Sequence, residues 1–165
     1  MCIILKNTPT RYKKMMEELV PPLFKLLKEL NSLEEEIFVR DCAMNKEKPT
    51  LKIPFNQVHP KWKELTSEYR TRFEVIIDGR VSEKLMSRGY ANSFGHPSKY
   101  FYLNSGAFSA EFTMRKEDVA NVITHYNRSI DMKDKFVLRL IDDIWLIDEK
   151  YYGFEDEKTW HLDSI

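Results

Sequence analysis

The chain has 165 residues, of which 42% are hydrophobic and 13% aromatic, a composition that suits one domain with a substantial apolar core. Its 26 lysine and arginine residues balance 26 aspartate and glutamate residues, so the overall positive charge typical of nucleic-acid-binding proteins is missing and we expect no nucleic-acid partner. The charge is unevenly distributed, since residues 138–165 carry a net charge of −5 and residues 1–137 carry +5.

Cysteine content and hydropathy bear on the cellular compartment. Cys2 and Cys42 are the only cysteines, and they form neither the paired spacing of a structural zinc site nor the dense spacing of a disulfide scaffold. We therefore expect a reducing compartment, no metal and no cofactor. The apolar start of the chain stops at Lys6, far short of the ~20 residues that span a bilayer. These features predict a cytoplasmic protein with no membrane association.

Helical spacing of apolar residues marks the beginning of the chain. Residues 12–30 repeat leucine, methionine and valine at helical intervals, and the Pro21-Pro22 pair predicts a kink or a break within this helix. Ser32 and Glu35 form a candidate capping box. A second helix is therefore expected from that point, fading near Asn45.

Two further helices are predicted before the pattern changes. Residues 46–58 have the composition of a connector. Pro60 lies at a position typical of a first helical turn, and Gly79 is a plausible end for the third helix. A short fourth helix is predicted over residues 82–87.

Alternation of apolar and polar residues begins after residue 89 and indicates strands. The clearest run is 108–114, where one set of alternate residues is apolar and the other polar. Residues 119–126 are rich in strand-forming residues, and residues 136–148 add two more apolar runs. Residues 100–103 are a candidate for an additional strand.

The segment Lys135–Asp148 has the signature of a β-hairpin with Asp142-Asp143 as its two-residue loop. This loop sets the predicted pairs, which are Ile141 with Ile144, Leu140 with Trp145, Arg139 with Leu146 and Leu138 with Ile147. Trp145 is accordingly expected to be a core residue, and replacement by alanine should cost about 3–5 kcal/mol of stability.

Helices followed by antiparallel strands predict an α+β domain, with the helices packed on one face of a curved sheet. We expect a single domain over residues 1–165, with helices mainly in 9–88, the sheet mainly in 98–150 and a C-terminal extension in 151–165. The aromatic side chains of that extension are predicted to cover a sheet edge.

This order of elements and the closing hairpin resemble the nuclear transport factor 2-like cone fold. The stretch Arg88–Tyr102, the hairpin and the ending Tyr-Gly-Phe-Glu-Asp-Glu-Lys-Thr-Trp are similar to bacterial immunity proteins of this fold from polymorphic toxin systems. The resemblance is best over residues 60–165. It implies a non-enzymatic protein that binds and neutralises a cognate toxin by occluding its active or substrate-binding surface.

The acidic C-terminal region supplies the candidate partner-binding residues. If the toxin acts on nucleic acid, its active surface is basic, and an acidic patch would steer the encounter and mimic phosphate. A solvated face is the simpler interpretation of the same charges. Tyrosine and tryptophan concentrate binding energy at interfaces. The candidates are Asp142, Asp143, Asp148, Glu149, Tyr152, Glu155, Asp156, Glu157 and Trp160.

Two other functions stay open. An enzyme on this fold needs a carboxylate or histidine inside the cone, with a tyrosine or second acid beside it. Glu111 lies opposite the apolar residues of its strand and is predicted to be solvated, whereas His125 could face inward. The alternatives are thus a small-molecule isomerase or dehydratase that uses His125 or a buried tyrosine, and a non-catalytic domain that dimerises through its sheet. We expect a cone filled by hydrocarbon and aromatic side chains, which favours the inhibitor.

Overall fold

The computed structural model describes residues 3–165 and has a mixed α+β architecture, with helices in the first half and a curved sheet in the second. This confirms the predicted class. The helices are α1 (Lys13–Glu47), α2 (Trp62–Ile77), α3 (Glu83–Met86) and α4 (Tyr102–Ser105), and a 3₁₀ turn (Thr10–Tyr12) precedes α1. The strands are β1 (Ile3–Leu5), β2 (Phe108–Lys116), β3 (Val119–Asn127), β4 (Asp131–Ile141), β5 (Ile144–Phe154) and β6 (His161–Asp163).

Helix α1 runs without a break through Pro21 and Pro22, so the predicted division at the prolines and the separate start at Ser32 are wrong. Both prolines are exposed, while nine apolar residues of α1 are buried on its other side. Burial stabilises by roughly 1.5–3 kcal/mol for each large apolar side chain, whereas an internal proline costs about 3 kcal/mol. Packing of the apolar stripe therefore outweighs both prolines.

The sheet has six strands in the order β1-β2-β3-β4-β5-β6. Strands β2 to β6 are antiparallel neighbours that follow one another along the chain. Strand β1, which the sequence did not predict, pairs in parallel with β2 through Ile3–Ala110 and Leu5–Phe112. At the other edge, residues 151–154 belong to β5 and not to a separate extension, and β6 pairs with residues 150–152.

The β4–β5 hairpin has the register that the sequence predicts, with Ile141 opposite Ile144 and Leu140 opposite Trp145. Asp142 and Asp143 have φ angles of 48° and 62°. Two successive left-handed residues are the geometry of a type I′ turn, which aspartate tolerates better than most residues. A β-bulge follows, since Val137 pairs with Glu149 and Leu138 with Ile147, which leaves Asp148 as the extra residue of β5.

The core lies between the helices and one face of the sheet. That face presents apolar residues such as Phe112, Val122 and Phe136, which pack with Leu27 of α1 and with the last residue, Ile165. Residues 100–103 do not form the predicted strand. They enter the helical turn α4, whose end at Gly106 has a φ of 69°, and Tyr100, Tyr102 and Leu103 are all buried.

The ends of α1 and α2 that the connecting segment joins are mostly exposed. Within α1 no residue after Ile37 is buried, and the first buried residue of α2 is Leu65. Of the last ten residues of α1, Met44 packs against the core, and His59 is the one buried residue of the segment that joins the two helices. We call residues 38–64 the arm and residues 48–61 the arm tip.

Four charged side chains join the two helices where the arm begins. Arg40 contacts both carboxylate oxygens of Glu68 at 2.6 and 2.7 Å, and Arg72 contacts both oxygens of Glu36 at the same distances. Arg72 also donates to Glu68 at 3.2 Å. Paired guanidinium–carboxylate forks of this kind fix geometry more firmly than single contacts. The arm is thus held in place at its base.

Candidate functional site

The predicted acidic residues do not form one patch. Asp142 and Asp143 are exposed at the turn that joins β4 to β5, whereas Asp156 and Glu157 are exposed beyond the other end of β5. Strand β5 has 11 residues, so the two groups are about 33 Å apart along the strand. The structure therefore divides the acidic region into two separate ends.

Asp148 and Glu149, which lie between those ends, are neutralised by the protein itself. Asp148 is only 3% exposed and accepts hydrogen bonds from Lys84 at 3.2 Å and Arg139 at 3.1 Å. Burial alone would raise the pKa of Asp148, but hydrogen bonds from Ser82, Arg139 and Lys84 hold it below its usual value. Glu149 is bonded to Lys84 and to the Tyr151 hydroxyl. Asp148 is thus inaccessible to a partner in this conformation.

The turn after β5 brings together the other predicted residues. Glu155 lies 2.5 Å from Nδ1 of His125, while Tyr152 stacks on His161 with 5.0 Å between ring centroids. The half-buried ring of Trp160 forms cation–π contacts with two lysines, since the amines of Lys133 and Lys135 lie 5.1 and 4.8 Å from its centroid. We call residues 155–160 the acidic turn. It combines exposed carboxylates with an aromatic ring, as the sequence predicted for an interaction surface.

His125 does not face the interior. Residues of β3 alternate between faces, and the neighbours Thr124 and Tyr126 are the ones that are buried. His125 lies on the outer face between Glu155 and Glu111, with Nε2 at 3.3 Å from Glu111. Glu111, which we expected to be solvated, also pairs with Lys6 at 2.5 Å. Because of its position, His125 cannot act on a molecule inside the cone.

The interior contains a polar cluster that the sequence analysis missed. Asp134 is buried on β4, where its Oδ2 accepts a hydrogen bond from the Tyr102 hydroxyl at 3.1 Å and its Oδ1 lies 3.5 Å from the Lys150 amine. Lys150 is 1% exposed and also pairs with Asp163 of β6. A buried lysine between two carboxylates keeps each charge compensated. An acid and a tyrosine thus do meet in the interior between the helices and the sheet, contrary to the expected purely apolar filling.

Alternation along the strands could have revealed this cluster. Asp134 is two residues before Phe136, and Lys150 is opposite Phe136 in the register, so both share the face of a core residue. The bulge at Asp148 shifts the pattern on β5 by one residue, and this shift conceals Lys150 from a simple reading of alternation.

A cavity of about 440 Å³ opens beside this cluster, between α1, the loop of residues 91–97 and the C-terminal residues 163–165. The amine of Lys99 donates to the carbonyl of Ser164 at 2.6 Å and lies 3.3 Å from Asp163. Burial, and then the positive charge of Lys150, lower the pKa of Lys99 to about 8. The carboxylate of Glu34 accepts from the backbone N–H of Gly95 and Lys99, and burial raises its pKa.

The acidic groups of this cavity are bonded to the protein. Asp134 is only 2% exposed, so a substrate in the cavity has no route to it. Tyr69, which also lines the cavity, donates to the Ser93 carbonyl at 3.4 Å, and burial raises its pKa. The cavity can hold a small polar molecule, with Lys99 as its most unusual functional group.

Residues 3–165 contain neither a cluster of metal-ligating side chains nor a helix able to span a membrane. No group of three or more histidine, cysteine, aspartate or glutamate side chains in that range is arranged to hold a metal ion. None of its helices combines the length and the apolar character needed to cross a bilayer.

Comparison with protein-family models, with curated protein sequences and with solved structures finds no significant match to this chain.

Proposed function

We propose that this chain is a non-catalytic immunity protein of nuclear transport factor 2-like fold, which binds a cognate bacterial toxin in the cytoplasm and occludes its active or substrate-binding surface. The resemblance of residues 60–165 motivates the proposal. One structural observation carries it, namely that the interior pair Asp134–Lys150 is buried and closed to substrates, while Asp163, which lines the cavity, is paired with Lys150 and Lys99. The exterior is then the surface available for binding a partner protein.

The acidic turn is the first surface to test for this role. It holds the exposed Asp156 and Glu157 beside Trp160, whereas the tryptophan nearest the turn at Asp142 and Asp143 is Trp145, which packs against the core. A half-buried aromatic ring flanked by charge is a common anchor at protein interfaces, and exposed carboxylates accelerate association with a basic partner.

The decisive experiment is co-expression with the toxin domain encoded by the neighbouring reading frame. The wild-type chain should restore growth and co-purify with the toxin. Asp156→Asn/Glu157→Gln should weaken the complex, and the matched double variant Asp142→Asn/Asp143→Asn should leave it unchanged. Absence of both protection and complex formation with the wild-type chain would end the proposal.

The cavity beside Lys99 favours a second candidate function, a small-molecule isomerase or dehydratase. An amine with a pKa of about 8 is partly unprotonated near neutral pH and is suited to proton transfer or carbonyl chemistry. A metabolite panel should then contain a compound that raises the melting temperature of the wild-type chain and not that of Lys99→Met. Equal shifts in both would remove Lys99 from this hypothesis. Homodimerisation through the sheet stays a prediction that sedimentation at several concentrations would test.

A further inference from the structure

The arm tip is the most exposed apolar element of the molecule. Phe55 is 100% exposed, and Val58 and Leu51 are 63% and 54% exposed. Apolar side chains scattered singly over a surface are ordinary. Three of them within eight residues form a concentrated apolar feature, and no part of residues 3–165 covers Phe55.

The same segment carries positive charge without compensation. The arm tip together with the two residues on each side of it, residues 46–63, contains five lysines and one glutamate, a net charge of +4. The lysines are Lys46, Lys48, Lys52, Lys61 and Lys63, and none of them forms an ion pair with any of residues 3–165. Several lysines elsewhere on the protein, among them Lys84 and Lys6, are paired with carboxylates. The tip therefore presents free positive charge around its apolar residues.

The arm tip is ordered by consecutive turns. The N–H of Ile53 donates to the carbonyl of Lys48 at 2.9 Å, and the N–H of Gln57 donates to that of Pro54 at 3.0 Å. At its end, the buried His59 accepts from the N–H of Lys61 through Nδ1 at 3.1 Å. A segment already fixed in one conformation loses little entropy when it binds. The tip thus has the properties of a preformed docking element.

We propose that the arm tip inserts into a cleft of the partner protein that has an apolar floor for Phe55 and a carboxylate-rich rim for the lysines. This inference rests on the proposed function, since the partner is the same toxin. It assigns that toxin an acidic cleft for the arm tip, in addition to the basic surface that the acidic turn would contact. The basic arm tip requires an acidic region on the partner, and the acidic turn requires a basic one.

The exposure pattern favours a protein pocket over a lipid surface. Only Phe55 is wholly free, because Leu51 and Val58 each have part of their surface covered. A single free ring fits a pocket of its own size, where burial of one aromatic side chain is fully realised. Binding to a bilayer requires a broad apolar face together with a basic cluster.

The test uses the full chain and a catalytically inactive form of the toxin domain from the neighbouring reading frame, with the dissociation constant measured by calorimetry at low and high salt. Phe55→Ser should weaken binding about tenfold to a hundredfold. Lys52→Glu/Lys61→Glu should weaken it at least tenfold at low salt and less at high salt, because salt screens exposed charges. Val75→Ser, at a 73% exposed position of α2, and Lys28→Glu on α1 are the matched controls and should have no effect.

The outcomes separate the two proposals. A wild-type chain that does not bind the toxin overturns the proposed function and this inference with it. A wild-type chain that binds, with both arm-tip variants binding equally well, overturns only the arm tip. Two further probes are used separately: vesicles that contain phosphatidylglycerol, and single-stranded RNA. If the wild-type chain binds one of these probes, and Phe55→Ser abolishes that binding but leaves toxin binding intact, the arm tip belongs to that ligand and the proposal is overturned.

Discussion

Replacement of Lys150 by methionine should destabilise the protein severely, because it leaves the buried Asp134 without its cation. Lys150 is 1% exposed and lies 3.5 Å from Asp134. After the replacement, Asp134 keeps the hydrogen bond from Tyr102 but no opposite charge. Removal of one partner from a buried ion pair typically costs about 3–5 kcal/mol, which is a large fraction of the ~5–15 kcal/mol that stabilises an ordinary domain.

The double variant Lys150→Met/Asp134→Asn isolates the electrostatic part of that cost. Asparagine keeps the shape and an acceptor oxygen for Tyr102, but it removes the uncompensated charge. The double variant should therefore be more stable than Lys150→Met alone, with a coupling energy of about 1–3 kcal/mol between the two positions. Asp163 retains Lys99 as its cation in both variants.

Urea denaturation followed by the fluorescence of the three tryptophans measures these free energies. Lys133→Met, on the outer face of the same strand as Asp134, is the control for loss of a lysine and should change stability by less than about 1 kcal/mol. Additive effects of the two substitutions, within about 0.5 kcal/mol, would refute the idea that Lys150 compensates Asp134.

Two other predictions concern stability. Lys99 has a pKa of about 8 in the folded protein and about 10.4 when unfolded. Because the unfolded chain binds more protons between these two values, the free energy of unfolding should rise with pH across that window. Below pH 8 the lysine is protonated in both states, and the free-energy cost of burying its charge is constant. Urea titrations from pH 7 to 10 should show this rise for the wild-type chain, and an equal rise in Lys99→Met would contradict the assignment. Trp145 is half-buried against the core, so Trp145→Ala should lower the free energy of unfolding by about 1.5–3 kcal/mol, less than the loss of a fully buried tryptophan. The control Ile144→Ala, at the neighbouring exposed position, should lower it by under about 1 kcal/mol. A loss of 4 kcal/mol or more in Trp145→Ala would show that the ring is more deeply packed.

Local patterns predicted the elements whose formation depends on nearby residues. The Asp142-Asp143 turn determines its own hairpin, and the register of four residue pairs followed from it correctly. Helix α2 and the short helix α3 likewise begin and end close to the predicted positions, because Pro60, Ser82 and Gly79 act within one turn.

Elements that depend on distant contacts were missed. The division of α1 was expected because prolines are unfavourable locally, and only the packing of the whole helix against the sheet reverses that. Strand β1 pairs with a strand more than a hundred residues away, a separation over which no short pattern carries information. The same is true of the candidate site, since the bulge that makes Asp148 an extra residue of β5 and the pairing of Lys150 with Asp134 exist only in the assembled sheet.

The parallel pairing of β1 with β2 has a consequence for the way the molecule opens. Its partner residues Ile3 and Ala110 are brought together by the longest loop closure in the sheet, whereas every other strand pairs with a sequence neighbour. Long closures form late in folding and contribute few contacts, so hydrogen exchange should be fastest there. Release of β1 would leave the backbone N–H and C=O groups of β2 unpaired, and a second molecule could add a strand at this exposed sheet edge. This short segment therefore protects the protein against self-association.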